Sequence, residues 1–169
     1  MTETRRLPAT AYAGPDRFER VIGTLALVLL ALVITALLRG APDWGRVPPI
    51  VWGHLLAVIT ALALTPVVLW RRRGDLRHRR IGYVWVTAMA LTALASLSIR
   101  ELNNGAFSLI HLLSVYTLGA LVWMIVSARR GDHARHRGSI RAMATGALLI
   151  AGVFTLIPAR LLGHWLFGG

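Results

Sequence analysis

Four of the six histidines in this 169-residue chain fall into two spaced pairs: His54 with His111, 57 residues apart, and His78 with His136, 58 apart. Other residues repeat with them. Arg73, Gly74, Asp75 and Arg100 reappear as Arg130, Gly131, Asp132 and Arg160, at offsets of 57, 57, 57 and 60. Arginine alone would recur easily, but a Gly-Asp pair and two histidines in register point to duplication of one unit. Two imidazoles facing each other across a helix bundle can ligate haem iron axially, and two such pairs stacked across a membrane would make an electron path. Arg100 and Arg160 could hold a haem propionate or an anionic headgroup.

The rest of the inventory narrows the chemistry. Zero cysteines exclude disulfides, thiolate metal sites and iron–sulfur clusters on this chain. The seven carboxylates are Glu3, Asp16, Glu19, Asp43, Asp75, Glu101 and Asp132, none central in an apolar run. Paired acid–base catalysis or a carboxylate relay through a membrane therefore lacks its residues. Ser114 lies one turn beyond His111, but no nucleophile elbow surrounds it, and no phosphate-cradling glycine loop occurs. A histidine-only zinc site at one leaflet stays open, although without nearby carboxylates a third ligand is hard to find.

The elements that must position these residues are apolar. Hydrophobic residues make up 56% of the chain, charged ones only 15%, and the mean hydropathy is +0.61, which argues against both a soluble domain and disorder. Uncharged runs of 18 or more residues cover 21–38, 47–70, 81–99, 102–128 and 142–159, each long enough to cross a bilayer as a helix. The first reads as a retained helix rather than a cleaved signal, because Arg39, Gly40 and Pro42 follow a full span. The expectation is an all-α, polytopic membrane protein with five transmembrane helices. Its parts are an N-terminal tail (1–20), a peripheral first helix (21–38), hairpin repeat one (47–100), hairpin repeat two (102–160) and an outer segment (161–169). The two hairpins form a four-helix core as a parallel repeat about an axis near the membrane normal.

All 19 basic residues are arginine, and 15 of them precede the first run or lie in 71–80 and 129–141. By the positive-inside rule those segments and the N-terminus are cytoplasmic and the C-terminus outside, in a bacterial inner membrane. The net charge of +12 then reports topology and contact with anionic membrane lipids, not nucleic acid. Pro42, Pro48 and Pro49 punctuate one outer loop and Asn103, Asn104 and Gly105 the other, while Asp75 and Asp132 each suit the N-cap of the helix that follows. Pro66 interrupts the second span and is expected to kink it. His54 and His111 then share the depth of the outer leaflet, and His78 and His136 the cytoplasmic end. An iron site at the latter pair requires helices beginning near Asp75 and Asp132.

In helix order and leaflet assignment, the stretch from Pro48 to Arg160 resembles the two-haem cytochromes of the cytochrome b-561 kind. That resemblance implies haem b held by His54 with His111 and by His78 with His136. A closer likeness in sequence is to an uncharacterised bacterial membrane family, domain of unknown function 2306. It rests on His78-Arg79-Arg80-Ile81-Gly82, Phe107 to Leu113, Arg129-Arg130-Gly131-Asp132 with His136-Arg137, and Gly152 to Thr155 with Pro158 and Arg160. It implies no biochemistry.

Plainer readings use the same residues. Each histidine could bond a neighbouring helix or a headgroup, with Arg77, Arg79, Arg135 and Arg137 contacting anionic lipid. Glu101 and Arg160 could form an ion pair that anchors topology. His133 and His164 read as interfacial, and Trp44, Trp52, Trp70, Trp85, Trp123 and Trp165 as an aromatic belt. The alternative to an electron-transfer protein, with its quinone or other redox partner, is a lipid, quinone or small-molecule binding or transport module, or an accessory subunit. A homo-oligomer fits either.

Overall fold

The computed structural model describes residues 14–99 and 109–168. Arg100 and Glu101, with the expected turn at Asn103 to Gly105, lie outside the described residues. Everything described is helix or turn, with no strand.

Helix α1 (Arg17–Arg39) begins where the sequence supplies a reciprocal cap. The Glu19 amide donates to the Asp16 carboxylate at 2.9 Å, and the Asp16 amide donates to the Glu19 carboxylate at 3.2 Å. A 3-10 segment (Ala41–Arg46) turns the chain, and Pro49 opens α2 (Pro49–Trp70) at the position where a missing N–H costs nothing. Two turns then share one design. Gly74 (φ 91°) precedes Asp75, which caps α3 (Leu76–Ser98); after α4 (Leu109–Arg129), Gly131 (φ 72°) precedes Asp132, which caps α5 (His133–Met143). Both glycines occupy the left-handed region that a side chain disfavours. The run of α5 continues without a break through a π-helical segment (Ala144–Ile150) into α6 (Ala151–Phe154), and α7 (Leu161–Phe167) closes the chain.

Helices α1, α2, α3 and α4 are long and apolar enough to cross a membrane. Their outward faces carry Leu25, Val28, Leu56, Val84, Leu91, Leu112 and Val122, all exposed, an arrangement that suits lipid and not water. On α4 the usual soluble pattern is inverted. His111, Ser114, Thr117, Leu121, Met124 and Ser127 recur at helical spacing as its buried stripe, so polar groups face inward and each hydroxyl bonds a carbonyl one turn back.

Neighbour follows neighbour: α2 packs on α3, α3 on α4, α4 on α5, and the π segment returns to α2. The expected peripheral first helix needs correcting. α1 packs along α2, the π segment and α7, and Ile22, Ala26, Leu29, Val33 and Ala36 enter the common core. Small residues permit this close approach. A Cβ on Gly23 would stand 2.5 Å from the Trp70 ring, and one on Gly152 2.6 Å from Leu29. The expected aromatic belt is also amended, because Trp85 is buried at 1% exposure with its indole N–H donating to Thr65 Oγ1 at 2.9 Å. Trp165 likewise packs inward on Gly40.

Candidate functional site: paired histidines and a buried carboxylate

At the arginine-rich end, α3 and α5 start at the two aspartate caps. His78 is therefore the third residue of α3 and His136 the fourth of α5, the placement an inward-facing pair requires. Their rings do meet. The centroids are 6.5 Å apart and the planes 80° from parallel. Two imidazoles on opposite sides of one iron have ring centres roughly 6.3 Å apart, because each metal–nitrogen bond is about 2 Å and each ring centre lies roughly 1.1 Å behind its nitrogen.

The nitrogens are set up unequally. His136 Nδ1 lies 3.3 Å from the Met124 carbonyl oxygen, which can only accept, so Nδ1 carries the proton and Nε2 keeps its lone pair. His78 Nδ1 is buried with no hydrogen-bond partner. The Met124 carbonyl on His136 is the kind of contact that holds the second nitrogen of a ligating imidazole, whereas His78 Nδ1 has none among the described residues. Among the described residues no group of three histidine or acidic side chains could hold a metal ion by itself.

The other pair is placed differently. His54, half-buried on α2, donates from Nδ1 to the Thr92 carbonyl of α3 at 3.1 Å, again leaving Nε2 as the acceptor. His111 is buried at 4% exposure near the start of α4. Both stand at the end opposite Arg73, Arg137 and Arg141. Arg160 is the half-buried N-cap residue of α7, and its expected partners Arg100 and Glu101 lie outside the described residues. His133 and His164 are exposed, in keeping with interfacial roles.

Sequence reasoning missed the densest electrostatic feature. Glu19 has no exposed surface, yet three arginines reach it: Arg73 Nη2 at 2.6 Å, Arg137 Nε at 2.7 Å and Arg141 Nε at 3.1 Å. Asp16 joins the cluster by pairing with Arg137 at 3.1 Å and with Arg141. The Glu19 amide holds the Asp16 carboxyl below its ordinary range, with Arg141 and Arg137 assisting. Trp70 adds an indole N–H to the Glu19 carbonyl at 3.0 Å. Arg137 is thus bound within the protein, whereas Arg77, Arg79 and Arg80 are exposed. Arg135 pairs at the surface with Asp132 at 3.3 Å and lies over Trp123.

Compared with known proteins, the chain matches no family model, no curated protein and no solved structure.

Proposed function

We propose that the chain is a membrane electron-transfer protein in which His78 and His136 ligate a b-type haem. The observation that carries this is the 6.5 Å separation of two inward-facing rings at the 80° interplanar angle. The Met124 carbonyl on His136 and the Thr92 carbonyl on His54 support it, since each fixes a ring and frees its Nε2. His54 and His111 would hold a second haem at the opposite end, and a bound haem would supply one-electron chemistry. Arg160, with Arg100, remains the proposed propionate partner there.

In this reading the uninterrupted helical run 133–154 is a fifth span and the arginine-rich end is cytoplasmic, in a bacterial inner membrane. The repeated Gly-Asp turns support descent from a duplicated two-helix unit. The protein purified from cells supplied with ample haem is expected to show the reduced-minus-oxidised absorbance of a low-spin b-type haem. A colourless preparation would sink the reading.

One observation favours a second reading, a lipid, quinone or small-molecule site. A cleft of about 450 Å³ opens between α2 and α3, lined by Gly53, Leu56, Thr60, Tyr83, Thr87 and Leu91 among others. Its two threonine hydroxyls and one phenol in an apolar wall suit a largely apolar molecule with a polar head.

A further inference from the structure

Among the described residues, the arginines that neutralise Glu19 come from the turn that leads into α3, the helix of His78, and from α5, the helix of His136. Arg73 stands one residue before left-handed Gly74 and two before Asp75, whose carboxylate accepts the His78 amide. Arg137 directly follows His136, and Arg141 is one turn further along α5. One acid on α1 therefore ties the turn before His78 to the helix turn after His136.

We propose that Glu19 is a positioning residue for the His78–His136 iron site, holding Arg73 and Arg137 in place and offsetting their charge beside the rings. This rests on the haem reading. Arg73 is 19% exposed and Arg137 28%, so their charges are screened less than those of surface arginines, and each lies within five residues of one of the two histidines. Among the described residues, three arginines against Glu19 and Asp16 leave the cluster one positive charge; replacing Glu19 by a neutral residue adds one more. Positive charge favours ferrous over ferric iron, because the reduced centre carries one positive charge fewer. Glu19 thus lowers the potential of the site and Arg73 raises it.

The test is a potentiometric titration of haem absorbance in the full-length protein, comparing wild type with Glu19→Gln and Arg73→Gln. At a fixed ambient potential, Glu19→Gln is expected to raise the reduced-to-oxidised ratio of this haem about tenfold, equivalent to about 59 mV for a one-electron couple. Arg73→Gln should move the ratio the other way, and Glu19→Asp should restore most of the wild-type value. A purely structural role would shift both variants in the same direction, since each loosens the same contact. Should Glu19→Gln fail to accumulate, Arg73→Gln decides alone, because Arg137 and Arg141 still hold Glu19 there. Shifts of one sign, or an unchanged potential in Arg73→Gln, overturn the proposal while leaving the haem reading intact; wild-type protein without haem overturns both.

Discussion

His78 and His136, 58 residues apart in the chain, face one another across α3 and α5 with ring centroids 6.5 Å apart. Two short devices produce this. Each helix begins after a left-handed glycine and an aspartate cap, so each histidine sits within the first turn and near the same level. The acid that joins the flanking arginines lies on a third helix.

The Asp75 cap gives a pH prediction. The His78 amide, with Arg71 in support, holds the Asp75 carboxyl below its ordinary 3.8. A depressed folded-state value means that the contribution is full above 3.8 and is lost as pH falls through the lower folded value. Helix content at the start of α3 should therefore hold from pH 7 to about 5 and decline only under strong acid. An Asp75→Asn variant, whose side chain still caps but does not titrate, should lack that component in an acid titration followed by circular dichroism.

Gly40 tests how closely α1 meets α7. Its φ of −81° suits any residue, so only space constrains it, and a Cβ there would lie 2.1 Å from the Trp165 ring. Gly40→Val should destabilise the protein by about 1–3 kcal/mol through overpacking. Gly45→Ala, with open space around the added carbon, should change the detergent-solubilised melting temperature little.

The bond from Trp85 to Thr65 predicts an asymmetric pair of substitutions. Thr65→Val leaves a buried indole N–H without its acceptor and should cost about 1–3 kcal/mol. In a Trp85→Phe background the same change should cost clearly less, because the donor has already gone. Equal costs in both backgrounds would show that the bond contributes nothing measurable.

Much of this architecture is legible in the sequence. The apolar runs located four long helices to within a few residues at most ends, and Asp75 and Asp132 were readable as caps because a helix start needs an acceptor for its free amides. The apolar run alone does not mark the start of α5, since Arg135, Arg137 and Arg141 interrupt it while the chain is already helical; the Asp132 cap does. The partners of Glu19 lie 54, 118 and 122 residues away, among nineteen arginines in the chain. No local pattern selects three of them. Burial of Trp85 and inclusion of α1 in the core are not readable from the sequence for a related reason: in lipid, apolar residues cover every face, so periodicity does not mark the inward one.

Topology offers a direct check. With 15 of 19 arginines preceding the first apolar run or lying in 71–80 and 129–141, the N-terminus is expected in the cytoplasm and the C-terminus outside. A C-terminal fusion to a reporter active only outside the cytoplasm should be active, and activity solely from a cytoplasmic reporter would reverse the assignment.

The most direct test of the account is the reduced-minus-oxidised haem spectrum of His78→Ala beside that of wild type, both purified in detergent. If each histidine pair holds its own iron, the variant should retain about half of the wild-type absorbance, because loss of one axial imidazole empties one site and spares the other. Absorbance equal to wild type would contradict ligation by His78 and leave its 6.5 Å approach to His136 as a packing contact.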